Sequence, residues 1–205
     1  MTIATLKTGI IQLLDAEIAA PVTISAGAII APAPVAPSIV PPTWPLQADC
    51  DAFYGCPGDT PDQWAAWVKE HVVDVPCPWV LNMGGVVVKE IQIHKKCADS
   101  LTRVLNNVWD ATGKSQSAIE TLHYHLYSGS YNQRPMRGGT HRSMHGYAAA
   151  LDFDDKENEQ HSANHLFQDS SLITVKFKED GWIWGGDWSP QSVDAMHYQA
   201  ARVHS

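Results

Sequence analysis

The chain is short of positive charge. Its 205 residues carry 14 Lys and Arg against 22 Asp and Glu, a formal net charge of −8 with His neutral. Nucleic-acid binders normally present a basic surface, so no nucleic-acid partner is expected. Electrostatic capture by anionic lipid or wall polymer is disfavoured on the same ground. The four cysteines, Cys50, Cys56, Cys77 and Cys97, contain no C-x-x-C pair, which excludes a zinc knuckle or a thioredoxin-like motif. A chain of this length, 44% hydrophobic, needs no disulfide staples, and free thiols are expected. An ordinary signal peptide is also missing: Lys7 is the only basic residue near the start, and Asp15 and Glu17 cut short the apolar run 9–14. No internal repeat is visible. Residues 18–42 carry no charge at all, yet Pro21, Pro32, Pro34, Pro37, Pro41 and Pro42 fall inside them. Prolines at that density break a spanning helix and strand its carbonyls in lipid, so no transmembrane segment is expected.

What the chain does have is ten His and eight Trp. His is the commonest metal ligand and the usual proton carrier near neutral pH, so a site is expected somewhere. Residues 1–44 read as an N-terminal tail or linker. A short amphipathic helix over 3–14 (Ile3, Leu6, Ile10, Ile11, Leu13, Leu14) precedes an extended Ala/Pro-rich stretch. The alternative is a tail that docks on a partner or a neighbouring subunit. Composition changes near Trp44, and a folded domain is expected over 45–205.

Within that domain, Cys50–Asp62 is rich in Gly, Pro and Asp and reads as loop. Val86–Ile93 reads as a strand. Lys95–Asp110 reads as a helix with Cys97, Leu101, Val104, Leu105 and Val108 on one face and Gly113 just past its end. Leu122–Tyr127 alternates and suits a strand, as does Ala148–Phe153. Asp169–Asp180 holds a helix or strand before the aromatic-glycine turn Gly181–Asp187, and Val193–Gln199 is a short final strand. Strands and helices do not alternate regularly, so the fold class is α+β rather than a doubly wound sheet.

Chemistry concentrates in two stretches. Arg142–Asp154 (RSMHGYAAALDFD) holds His145 and Asp152 seven residues apart, with small residues between them that allow close backbone packing. A strand there would put Ala150, Asp152 and Asp154 on one face. Trp182–Gln199 adds His197, with Asp194 three residues earlier. His, Asp and His with a nearby carboxylate describe a catalytic zinc site, in which three protein ligands leave the fourth position to water. The metal lowers the pKa of that water towards ~7, and a neighbouring carboxylate moves the proton to a leaving amine. The competing reading of the same residues is surface histidines and a capping Asp.

The run Ser143-Met-His145-Gly-Tyr-Ala-Ala-Ala-Leu-Asp152 resembles the SxHxxGxAxD motif of the M15 zinc peptidases, which are D-alanyl-D-alanine carboxypeptidases, D,D-dipeptidases and phage L-alanyl-D-glutamate endopeptidases. It departs at Ala148, where that family usually has Gly; the change is mild unless the position needs positive φ. Trp184-Gly-Gly-Asp187-Trp188 followed by Asp194-Ala-Met-His197-Tyr198 resembles the family's WGGDW and DxxHF segments. Tyr131-Asn-Gln-Arg134-Pro-Met-Arg137-Gly-Gly resembles YNxRxxRG of the phage-associated branch. The resemblance implies a small antiparallel sheet with flanking helices, hedgehog/D,D-peptidase-like, and one catalytic Zn2+ held by His145, Asp152 and His197. It implies Asp194 as general base and then acid. Arg134, with Arg137 second, would polarise the scissile carbonyl or hold a substrate carboxylate, tasks that suit a permanently charged planar fork. Ser143 either supports the His145 turn or contacts substrate. Trp184, with Trp182 and Trp188, forms core and cleft wall or stacks on substrate. Asp187 braces its turn or backs a ligand histidine. Asp154 and Asp155 read as turn carboxylates, and His123 and His125 as sheet-face residues.

The implied function is hydrolysis of an amide bond in the stem peptide of peptidoglycan, as endopeptidase or D,D-carboxypeptidase. A phage-type lysin or tail-associated hydrolase would reach the wall after holin release or in a virion, and the tail could then meet a virion partner. The alternative is a non-catalytic, zinc-stabilised structural or wall-binding virion component. The Ala/Pro-rich tail favours that alternative, and Asp194 opposes it, since a structural site needs no base.

Overall fold

A computed structural model describes residues 40–134 and 142–203. The tail expected over 1–44 lies mostly outside the described residues. Its last residue does not behave as linker: Trp44 is buried, edge-on to Trp182 with ring centroids 5.7 Å apart. The backbone beside it is pinned by Gln47 N–H donating to the Arg202 carbonyl and Arg202 N–H donating to the Pro45 carbonyl.

Among the described residues the folded unit is α+β, with two small antiparallel sheets rather than one. A short helix α1 (Cys50–Tyr54) occupies part of the expected loop. It is followed by α2 (Pro61–His71), whose start is dictated by sequence. Thr60 Oγ1 accepts from Gln63 N–H, Gln63 Oε1 accepts from Thr60 N–H, and Pro61 supplies a pre-set φ at the first turn. Strands β1 (Val72–Met83) and β2 (Val86–His94) form a long hairpin. Its register is broken between Pro76 and Leu81, where proline cannot donate to the ladder. The helix α3 (Ala98–Ala111) presents Leu101, Val104, Leu105 and Val108 to the core, all 0–1% exposed. At the break in β1, Gln116, the first residue of α4 (Gln116–Thr121), accepts from Val80 N–H and donates to the Val80 carbonyl. One side chain thus replaces a missing strand neighbour.

The expected strand over Leu122–Tyr127 is mostly turn. His123 adopts φ 64° and its Nδ1 lies 2.8 Å from the buried Asp154 carboxylate, so it is no sheet-face residue. Strand β3 (Tyr127–Gly129) begins only there. A 3-10 turn, Met144–Tyr147, leads into β4 (Ala150–Phe153). The strand stops at Phe153 because Asp154 has φ 46°, which removes Asp154 from the face that carries Asp152. Helix α5 (Leu172–Glu179), strand β5 (Ile183–Trp184), a second 3-10 turn over Gly185–Asp187 and strand β6 (His197–Gln199) complete the fold.

The second sheet has the order β3-β4-β6-β5. It packs with α3 and α5 around an aromatic core of Phe153, Phe177, Trp182 and Tyr198. Where α3 meets the turn after α5, Asp180 accepts from Ser100 Oγ at 2.6 Å and from Arg103 at 2.7 and 3.0 Å. Trp182 Nε1 donates to the same Ser100 at 2.8 Å. Cys50, Cys56, Cys77 and Cys97 are all free thiols. Among the described residues no helix is long and apolar enough to cross a membrane.

Candidate metal centre and its cleft

Sheet register assembles the centre. Asp152 on β4 and His197 on β6 are direct cross-strand partners, and Gly129 lies opposite Asp152 on the other side. His145 arrives from the 3-10 turn just before β4. That turn is built from its own residues: Ser143 Oγ accepts from His145 N–H at 3.4 Å, and Ala148 closes the turn in the left-handed region at φ 48° and ψ 37°. Ala148 is therefore at a position where glycine is the unstrained residue.

Three side chains converge. His145 Nε2 lies 3.2 Å from His197 Nδ1 and 3.2 Å from Asp152 Oδ2, and His197 Nδ1 lies 2.9 Å from Asp152 Oδ1. His145 Nδ1 faces the Ser130 carbonyl at 2.6 Å, which can only accept. The neutral ring therefore carries its proton on Nδ1 and aims a lone pair at the other two groups. A carboxylate and imidazole lone pairs do not meet in a buried corner without positive charge between them. The side chains respond accordingly. Burial pushes the Asp152 carboxyl up, but the two imidazoles outweigh it and hold it well below the usual range. Burial pushes His197 down, but the bond and charge of Asp152, helped by Asp194, leave it above its ordinary value. A metal with bonds of ~2.0–2.1 Å at tetrahedral angles has ligand atoms about 3.3 Å apart. The observed separations of 2.9–3.2 Å, with the carboxylate meeting each ring through a different oxygen, are close to that size, and two imidazoles with a carboxylate are ligands suited to zinc.

Asp194 is held beside the centre by backbone. Its N–H donates to the Gly185 carbonyl at 3.0 Å, and its own carbonyl accepts from His197 N–H at 3.2 Å. A Cβ at Gly185 would lie 2.4 Å from the Asp194 carbonyl oxygen, so only glycine allows this approach. Trp184 is buried and donates Nε1–H to the Ala195 carbonyl at 2.8 Å. It props the loop that carries Asp194 and is not among the residues lining the cleft. Trp188 instead leans on His197, ring centroids 5.4 Å apart. Asp187 pairs with Lys178 at 2.7 Å, and among the described residues its carboxylate makes no bond to a turn N–H or to a histidine.

The centre opens into a cleft of ≈ 890 Å³ lined by residues from 128–134 and 155–161, together with His145, Asp152, Met83 and Met196. Arg134 lines this cleft, and Tyr131 in it stacks on Trp67 at 6.4 Å. Ser143 is buried in its capping role, away from the cleft lining. Arg137 lies outside the described residues. Sequence reasoning missed the Ser130 carbonyl, for which a sequence holds no signal. It also missed the cleft residues Lys156, Glu159 and His161, which belong to no motif. Gln199, whose Oε1 is 3.1 Å from His197 Nε2, was findable: it is two residues beyond His197 on a strand, hence on the same face.

A family model described as D-alanyl-D-alanine carboxypeptidase matches residues 137–200, a span that includes His145, Asp152, Asp194 and His197. No curated protein and no solved structure matches the chain. The match covers roughly a third of the chain and supports an M15-type peptidase, a hydrolase.

Proposed function

We propose that this chain is a zinc peptidase that hydrolyses an amide bond in D-alanine-containing stem peptides of peptidoglycan. The observation that carries the reading is the convergence of His145 Nε2, the Asp152 carboxylate and His197 Nδ1 on one point beside the cleft. The family match supports the same chemistry. Zinc held by these three residues would polarise a carbonyl oxygen and lower the pKa of a water towards ~7.

The remaining work falls to the chain's own groups. Asp194, whose charge is felt at His197, accepts a proton from the attacking water as its oxygen bonds to the amide carbon. It returns that proton to the nitrogen as the C–N bond breaks. Arg134, in the cleft lining, offers N–H donors to the developing oxyanion or to a substrate carboxylate. Trp184 and Gly185 act indirectly, by fixing the loop that carries Asp194. The enzyme would meet its substrate at the cell wall as a phage-type lysin or a virion-borne hydrolase. Its Ala/Pro-rich 1–44 segment would be the part that meets a virion partner.

The test is mass spectrometry of purified peptidoglycan digested by zinc-loaded protein, with His145→Ala as control. Loss of terminal D-alanine marks a carboxypeptidase, and a new amino terminus inside the stem marks an endopeptidase. No product from several wall chemotypes, with zinc shown to be bound, would overturn the catalytic reading in favour of a structural zinc protein.

A further inference from the structure

Gln199 belongs to no ligand set, yet it is 1% exposed and lies against one. Its carboxamide makes three contacts. Nε2 donates to the Ala201 carbonyl at 2.6 Å. Oε1 accepts from Gln47 Nε2 at 3.3 Å and faces His197 Nε2 at 3.1 Å. A backbone carbonyl can only accept, so Ala201 decides which end of the amide is nitrogen; the opposite flip would set two oxygens face to face. With Oε1 turned towards it, His197 Nε2 has to be the donor. In the neutral ring the lone pair is then on Nδ1, the atom that meets Asp152 at 2.9 Å and His145 at 3.2 Å. Ala201, Gln199 and His197 thus form a chain of forced choices that ends at the ligand atom. His145 is fixed in the same sense by the Ser130 carbonyl, so each imidazole has its own tautomer-setting acceptor.

We propose that Gln199 is a positioning residue that holds the His197 ring in the orientation and tautomer offering Nδ1 to a metal, and that Gln47 holds Gln199 in turn. The inference rests on the metal-peptidase reading above. It differs from a packing role in what it moves. A buried amide that merely fills space changes stability when replaced, whereas an acceptor for the far ring nitrogen changes metal affinity and the exchange of that N–H. Outer acceptors of this kind are generally worth 10- to 100-fold in metal affinity.

The experiment uses the full chain as wild type, Gln199→Met and Gln199→Glu. Zinc affinity is measured by competition with a chromophoric chelator. The His197 Nε2–H is followed by proton NMR in the cobalt(II)-substituted protein, as a hyperfine-shifted, solvent-exchangeable signal. Gln199→Met is expected to lose about 10- to 100-fold in zinc affinity and to exchange that proton faster. Gln199→Glu keeps an acceptor against Nε2 but sets its second oxygen against the Ala201 carbonyl, where it must carry a proton, and is expected to recover only part of both. Unchanged zinc affinity in a folded Gln199→Met overturns the proposal. If Gln199→Met fails to fold, the wild-type cobalt spectrum still decides: no exchangeable Nε2–H from His197 overturns it. Wild-type protein that binds neither metal removes the peptidase reading together with this one. Wild-type protein that binds zinc and cleaves, beside an equally tight Gln199→Met, removes this one alone.

Discussion

Acid should weaken this fold through His94, a residue with no part in the proposed catalytic steps. His94 is fully buried at the end of β2. Its Nδ1 accepts from Lys96 N–H at 3.0 Å, so its Nε2–H donates to the Tyr54 carbonyl, also at 3.0 Å. The neutral ring is thereby satisfied at both nitrogens. A second proton would face the Lys96 N–H donor, in a pocket closed by Tyr54, Trp67 and His71. Burial accordingly lowers the His94 pKa from 6.5 to about 4, with His71 and the Lys95 and Lys96 charges acting in the same direction. The unfolded chain binds this proton below about pH 6.5 and the folded chain only near 4, so stability falls as pH drops through that window. Between pH 7.5 and 4.5 the loss works out at about 2.5 kcal/mol, a large part of the margin of a domain this size. The assay is urea unfolding at the two pH values, with chelator present so that metal release does not contribute. In the comparison variant His94→Asn, the side-chain oxygen still accepts from Lys96 N–H but does not titrate. Its stability at pH 7.5 is expected to be lower through lost packing, while its pH-dependent loss is expected to be smaller by that 2.5 kcal/mol. Equal losses in both proteins would refute the reasoning.

Other consequences can be checked directly. Asp194→Asn should keep zinc, measured by chelator competition, while turnover of wall fragments falls by about 10²- to 10⁴-fold. Gly185→Ala forces a methyl into the Asp194 carbonyl and should cost at least about 2 kcal/mol in urea unfolding; an unchanged midpoint would contradict the close approach. Ala148→Gly should be neutral or stabilising, because relief of left-handed strain offsets the lost methyl and added chain entropy; Ala→Gly elsewhere in regular structure costs about 0.5–1 kcal/mol. Zinc at 100 times its dissociation constant should add about 2.7 kcal/mol to unfolding stability, an increment that His145→Ala abolishes.

Much of this architecture could be read from residue order, and the parts that could not share a cause. Helix α3 and strands β2 and β4 follow local rules of apolar spacing, and each lies close to where those rules put it. His145, Asp152 and His197 were nameable through the resemblance of their two stretches to known motifs; their spacing alone left the reading of surface histidines and a capping Asp open. Strand β1 was missed because Pro76 and Pro78 argue against a strand, and only Gln116, some forty residues on, supplies the partner that compensates. Leu122–Tyr127 imitates a strand by alternation, but the pull of Asp154 on His123 turns the chain. In both cases tertiary contacts overrode a local pattern. Helix α2 is a different kind of miss, since Thr60, Pro61 and Gln63 spell a capping box and were legible.

Strand β6 is made after every other strand, yet it lies between β4 and β5 in the sheet. Strand β5 pairs with β6 and with no other described strand, so it has no ladder to join until the last strand inserts. The same insertion brings His197 to Asp152 and draws Asp194 against Gly185. Closing the sheet and completing the centre therefore depend on one and the same strand, through contacts of long sequence separation, a kind that generally forms slowly. A nascent or partly folded chain would carry two of the three ligands and no working site. If the proposed peptidase chemistry holds, it is available only to a chain whose last strand is in place.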